Sequence, residues 1–295
     1  MVAAGWTAPA AVSVPSRPCL SGGGGQPPAA RGAGVTVAVV DTGAAPIPQL
    51  KNAVWWSASK SFVSTGGVSD SNGHGTEMAA IVHEVAPGAR LLVVQALDDS
   101  GGGSSDDVAR AIRYAVAKGA RVVNVSAAGG AADPAIRSAI VDAGEHGALV
   151  VVAAGNDGTD VDTYSSFPAG YRLPNLVVVA ATNGHGALSA TSDWGEHTVQ
   201  IGAPGVDVPT LSASGTAARV SGSSPAAALT SGVSALVLGQ DGGMSVAGLQ
   251  AALAHGSDPE RGLAGKVASG GQLDPHRALG GSTRLSCSVA TAFLQ

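Results

Sequence analysis

Val35–Gly43 reads VTVAVVDTG, and the fold can be worked outward from this stretch. Val35–Val40 is an unbroken apolar run, the pattern of a strand covered on both faces rather than one alternating between core and water. Asp41 follows it directly. A carboxylate there is awkward as a core group but sensible as an anchored group that orients a neighbour. Asp-Thr-Gly is equally a turn signal, and taken alone the segment reads as that.

Downstream the pattern alternates. Helices are predicted over Gly75–Glu84, Asp106–Lys118, Pro134–His146, Ser224–Leu238 and Val246–His255, and strands over Leu91–Ala96, Arg121–Ser126, Leu149–Ala154 and Leu176–Ala181. The second helix has Asp at its start and Gly119 past its end, a normal cap arrangement. Such alternation predicts an α/β fold of three layers, a mostly parallel central sheet with helices on both faces. Sheets of this kind place their sites at the carboxyl ends of strands, and Asp41, Ser126 and Asn156 fall at or just after those ends. Upstream, Ser21–Gly34 (SGGGGQPPAARGAG) is rich in Gly, Pro and Ala and reads as flexible or extended chain. The expected organisation is an arm over residues 1–34, a compact domain over 35–280 and a C-terminal tail over 281–295.

Composition narrows the function classes. The 295 residues suffice for one large domain. Aromatics make up only 3%, so Val, Ala and Leu must fill the core. The net charge of -5, with no block of Lys or Arg, argues against a nucleic-acid partner. No apolar run reaches the roughly 18 residues of a membrane span, so no membrane association is expected. Met1–Val14 has no basic residue and is broken by Pro9, so it does not read as a signal peptide. The protein then acts in the cytoplasm, unless the chain is a trimmed secreted one. Cys19 and Cys287 have no metal-ligand neighbours at zinc-finger spacing. They are either two free thiols or a disulfide tying the ends together. No metal and no cofactor are expected, and the protein is taken as a monomer.

Three further segments carry chemistry. Asn72–Ala80 (NGHGTEMAA) puts His74 at a helix start between glycines; a lone His there reads as a capping residue. Ala153–Gly158 (AAGNDG) puts Asn156 after a strand, where Asn before Asp-Gly is ordinarily a turn residue. Ser221–Leu236 (SGSSPAAALTSGVSAL) puts Ser224 on the threshold of an Ala-rich helix. It can be a mere N-cap, or a nucleophile helped by the helix dipole and the free N–H groups of the first turn.

Asp, His, Asn and Ser in this order, each in its own local string, resemble the subtilase family of serine peptidases. The strings VAPGARLLVVQAL (85–97), ARVVNVS (120–126), FPA (167–169) and APGVDV (203–208) also match, and the resemblance covers about residues 35–280. It implies a subtilisin-like fold and a serine endopeptidase acting through an acyl-enzyme. Ser224 would be the nucleophile, His74 the general base and then acid, and Asp41 the group holding the imidazole. The Asn156 side chain and the Ser224 N–H would donate to the oxyanion. It also implies substrate-binding edges at Ser126, Ala127 and Ala128 and at Ala153, Ala154 and Gly155, a pocket base at Ser166, and a peptide or protein substrate. Gly222-Ser223-Ser224 fills the family's Gly-Thr-Ser pattern, which selects Ser224 over Ser223 and makes Ser223→Ala a mild change.

Several positions depart from the family. Pro225 follows the nucleophile, where the missing N–H is tolerated in a first helical turn. Glu77 stands where many relatives have a second His, and Ala228 where they have Pro. The family's calcium loop after the catalytic His is missing, so His83 and Glu84 read as exposed helix-end residues. No prodomain is recognisable upstream of Asp41. Ala128 stands at a habitual Gly of the substrate-pairing edge, where its methyl would crowd a bound peptide. That favours narrow substrate choice, such as leader removal in peptide maturation. The alternatives are acyl transfer to an amine, as in a ligase or macrocyclase, and a non-catalytic peptide-binding scaffold. Asp98, Asp99, Asp106, Asp107, Asp157, Asp160 and Asp162 either line an acidic cleft that prefers basic or uncharged substrates, or serve as solvated turn and cap groups.

Overall fold

A computed structural model describes residues 31–281 except 65–66 and 129. Cys19, Cys287, most of the expected arm and nearly all of the tail lie outside the described residues. The strands are β1 (Thr36–Asp41), β2 (Lys60–Ser61), β3 (Arg90–Gln95), β4 (Val122–Val125), β5 (Leu149–Ala153), β6 (Leu176–Thr182), β7 (Ile201–Pro204), β8 (Val208–Leu211), β9 (Ala217–Val220), β10 (Ser257–Pro259) and β11 (Gly271–Leu273). The helices are α1 (His74–Val85), α2 (Ser105–Ala117), α3 (Pro134–Glu145), α4 (Ser223–Gln240), α5 (Val246–His255) and α6 (Pro275–Ala278).

The main sheet has the order β10-β11-β7-β6-β5-β4-β1-β3-β2 and is parallel except at its β10–β11 edge. The chain goes from β1 through α1 to β3, then crosses back past β1 to β4 and continues through β5 to β7. Parallel crossovers are right-handed, so this reversal puts α1 on one face and α2 and α3 on the other. α4 joins the face of α1 and packs against it. The expected three-layer α/β fold, a mostly parallel sheet with helices on both faces, is present.

The valine-rich strands divide their side chains between the two layers. Val37, Val39, Leu91, Val93, Leu149 and Val151 turn to the α1/α4 face. Ala38, Val40, Leu92, Val94, Val150 and Val152 turn to the α2/α3 face. Full burial of each Val or Leu side chain contributes about 1.5–3 kcal/mol, and burial on both faces is why the strands read as continuous apolar runs.

The ten expected elements form with ends shifted by two residues at most. Helix α2 is capped by Ser104, whose hydroxyl accepts from the Asp107 N–H, not by an Asp. The short strands β2 and β7 to β11 and the one-turn α6 were not expected. His83 is not the exposed residue expected at the end of α1. It is half-buried with Nδ1 enclosed and unpartnered among the described residues, and burial lowers its pKa.

Among the described residues, no helix is long and apolar enough to cross a membrane.

Candidate active site

The reversal in strand order lies beside β1, which has β3 on one side and β4 on the other. A crevice opens at the carboxyl ends of strands at such a point. Asp41 ends β1 there, and the pairing of Val40 with Val125 sets Ser126 beside it at the end of β4.

Asp41 is fully buried, at 0% exposure. Its Oδ1 accepts from the Thr42 N–H at 2.7 Å and from His74 Nδ1 at 2.8 Å. A carboxylate can only accept, so Nδ1 carries the proton and Nε2 is left to accept. Asp41 Oδ2 has no hydrogen-bond partner among the described residues. The buried charge is thus weakly compensated, and it favours a proton on the His74 ring. The pKa of His74 lies above its ordinary value. Burial lowers it, but the Asp41 hydrogen bond and the charges of Asp41, Glu77 and Asp70 outweigh burial. Glu77 lies one turn along α1; burial raises its carboxyl, His74 lowers it, and Asp70 and Asp41 raise it further.

The sequence reading missed how His74 is held. Asp70 Oδ1 accepts from the Gly73 N–H at 2.8 Å and the Thr42 hydroxyl at 2.9 Å. Its Oδ2 accepts from the Thr76 N–H at 2.8 Å and the Thr76 hydroxyl at 2.5 Å. Thr42 Oγ1 in turn accepts from the Gly75 N–H at 2.9 Å. A carboxylate at the start of α1 therefore ties the turn carrying His74 to the residue after Asp41. The approach is so close that a Cβ on Gly75 would stand 2.2 Å from the Gly43 carbonyl oxygen. The signal was available as an Asp four residues before a Gly-flanked His.

Ser224 is the second residue of α4. Its hydroxyl donates to the Ser126 carbonyl at 3.3 Å, and no hydrogen bond joins it to His74. Asn124 Nδ2 donates to Ser126 Oγ at 2.7 Å, and Ser231 of α4 donates to Asn124 Oδ1 at 2.9 Å. This polar layer beneath the start of α4 was signalled by an Asn inside the apolar run VVNV.

The N–H groups of the first turn of α4 can be accounted for one by one. That of Ser223 donates to Asn156 Oδ1 at 2.8 Å. Pro225 has none. The Ser224 N–H has no acceptor among the described residues, and neither does Asn156 Nδ2. Because the Ser223 N–H requires an oxygen opposite it, the amide of Asn156 is oriented with Nδ2 outward. Ser223 is wholly buried, at 0% exposure. Its hydroxyl donates to Asn156 Oδ1 at 3.2 Å and accepts from the Gly155 N–H at 3.1 Å. Ser223 thus braces the Asn156 loop, a role its place in the motif does not show.

The expected substrate-binding residues divide. Ser126 is buried, Ala127 half-buried and Ala128 exposed beyond the end of β4. The side chains of Ala153 and Ala154 are enclosed in the two core layers, so they offer a ligand main chain only. Gly155 lies between the buried Ser223 and the next turn. Ser166 is half-buried on a separate loop, its carbonyl accepting from the Gly170 N–H at 2.7 Å. No hydrogen bond among the described residues links it to the others.

Of the aspartates proposed for an acidic cleft, Asp98, Asp107, Asp160 and Asp162 have local partners. Asp98 holds its own loop through Ser100 and Gly102, Asp107 bonds Ser104 and Arg110, and Asp162 bonds Arg172 and the His197 N–H. These three are turn, cap and ion-pair groups, and Asp160 likewise bonds the Asp162 N–H and the Thr163 hydroxyl; the carboxyls of Asp99, Asp106 and Asp157 have no such partner among the described residues.

A family model described as the subtilase family matches residues 32–280. Thermitase of Thermoactinomyces vulgaris is 33% identical over 264 residues, spanning 85% of this chain and 90% of thermitase. The chain spans only 57%, 44% and 54% of three other curated relatives. A cold-adapted subtilisin-like serine proteinase superposes with a TM-score of 0.70 at 28% identity, over 83% of this chain and 88% of that one. A serine-to-alanine mutant of the protease domain of PatA superposes at 0.72 with 27% identity, over 85% and 97%. The chain belongs to the subtilase family of serine proteases.

Proposed function

We propose that the chain is an endopeptidase that cleaves peptide bonds through an acyl-enzyme on Ser224, with residues 35–280 as the peptidase unit. In this reading His74 Nε2 takes the proton of Ser224 Oγ as the hydroxyl attacks the scissile carbonyl, then gives it to the leaving amine. Asp41 keeps the Nδ1–H tautomer and stabilises the imidazolium. The observation that carries the reading is a pair of donors without acceptors among the described residues, the Ser224 N–H and Asn156 Nδ2, at the start of a helix near the buried Asp41 and its half-exposed partner His74. Donors held ready in this way act on an oxyanion as it develops, and loss of one costs roughly 10²–10³ in kcat. The bond from Ser224 Oγ to the Ser126 carbonyl fits a resting state; catalytic hydrogen bonds are often loose before substrate arrives.

The substrate is a peptide or protein segment that adds a strand beside Ser126–Ala128. The exposed methyl of Ala128 narrows what this edge accepts, which favours selective processing, such as leader removal from a precursor, over general degradation. The test is incubation of a diverse peptide library with the wild type and Ser224→Ala, read by mass spectrometry. The expected result is cleavage at a restricted set of sequences by the wild type alone. Amine-joined products would move the assignment to a transpeptidase. Equal, unchanged libraries would make the protein a binding scaffold.

A further inference from the structure

Asp193 is a buried carboxylate, 1% exposed, which the proposed chemistry does not use. It lies on the loop between β6 and β7, far in sequence from Asn156, yet it holds the Asn156 loop on both sides. Its Oδ1 accepts from the Asp157 N–H at 3.0 Å, the Thr159 N–H at 2.8 Å and the Thr159 hydroxyl at 2.9 Å. Its own N–H donates to the Gly155 carbonyl at 3.0 Å. Its Oδ2 occupies the space a side chain at 155 would need: a Cβ there would stand 2.0 Å away. Gly155 has φ +120°, so both the backbone and the carboxylate require glycine.

The residues before and after Asn156 are therefore held by one residue, Gly155 through the Asp193 main-chain N–H and Asp157 and Thr159 through its carboxylate. Ser223 orients the amide itself, and Asp193 holds the main chain that carries it. Charge-assisted bonds of this kind are about twice as strong as neutral ones, and three of them converge on one oxygen. We infer that Asp193 is a positioning residue for the oxyanion hole, which keeps Asn156 Nδ2 aimed at the developing oxyanion without touching substrate. The inference rests on the assignment of Asn156 as an oxyanion donor.

A double-mutant cycle tests both. Asp193→Ala, Asn156→Ala and the double variant are assayed on a chromogenic peptide anilide, with active sites counted by fluorophosphonate titration. A displacement of about 1 Å can cost on the order of 10²-fold, so Asp193→Ala is expected to lower kcat roughly 10–100-fold with little change in KM. That loss should shrink to less than about threefold in the Asn156→Ala background, where no amide is left to aim. Asp193→Asn keeps an acceptor for the loop N–H groups and should restore most of the rate. Where Asp193→Ala does not fold, Asp193→Ser takes its place in the same cycle. Equal losses from the Asp193 change in both backgrounds, or a lowered melting temperature with kcat intact, would overturn the positioning role. An unchanged kcat in Asn156→Ala alone would instead overturn the assignment of Asn156.

Discussion

Asp70→Ala should displace His74 without removing any proposed reacting group. Asp70 accepts two main-chain N–H bonds, each at 2.8 Å, from Gly73 and Thr76, which flank His74, and two hydroxyl bonds from Thr42 and Thr76. Hydrogen bonds to a charged group contribute roughly 1.5–3 kcal/mol each. At this half-exposed position the hydroxyls can turn to water, so only the two main-chain bonds count, at the low end of the range. The loss is then about 3 kcal/mol, which leaves a domain of ordinary stability folded. With the turn released, His74 Nδ1 loses its register on Asp41. A drop of roughly 10–100-fold in kcat is expected, with KM within a few-fold. Asp70→Asn offers one acceptor oxygen instead of two and should fall between. Urea denaturation gives the stability and steady-state hydrolysis of a peptide anilide gives the rate. If Asp70→Ala loses less than about 0.5 kcal/mol and keeps its kcat, the carboxylate does not hold His74 and the reasoning fails.

Ser223→Ala leaves the Gly155 N–H buried without its acceptor and frees Asn156, so a loss of about 1–3 kcal/mol and a kcat lower by about tenfold are expected; wild-type values for both would refute the bracing role. The pKa of His74 is raised by Asp41, Glu77 and Asp70 against burial. A general base must be neutral, so kcat/KM should fall as pH drops through a value above 6.5, and Glu77→Gln should move that limb to lower pH. A pH–rate profile unchanged by Glu77→Gln would count against the coupling. Gly155→Ala must place a Cβ 2.0 Å from Asp193 Oδ2 at φ +120°, so a cost of at least about 2 kcal/mol is expected in thermal unfolding.

The fold was legible because its buried strands are continuous runs such as VTVAVV and LVVVA, and its main helices are long enough to show their period. The strands β7, β8 and β9 were not, because IGAP, VPTL and AARV are four residues each and carry Gly, Pro or exposed side chains. In the proposed site, Asp41, His74, Asn156 and Ser224 sit in short strings that resemble a family's motifs, which is why the sequence nominates them. Asp70 holds the turn around His74, Asn124 bonds the side chains of Ser126 and Ser231, and Ser223 and Asp193 hold main chain contributed by another segment. Asp193 lies 34 residues from the Thr159 N–H it accepts, and nothing in the sequence marks that pairing. The same limit applies to His83, half-buried in a cavity it shares with Gly34, Val35, Ala53 and Pro87, segments distant in sequence.

Reaction with a fluorophosphonate, followed by peptide mapping, tests the central assignment most directly. The reagent modifies a serine only where the hydroxyl is activated and an oxyanion is stabilised. A single adduct on Ser224 is expected, absent in Ser224→Ala and slowed as His74 becomes protonated at low pH. An adduct on Ser223, or a folded protein that takes up no reagent at any pH, would contradict the assignment of Ser224 as the nucleophile.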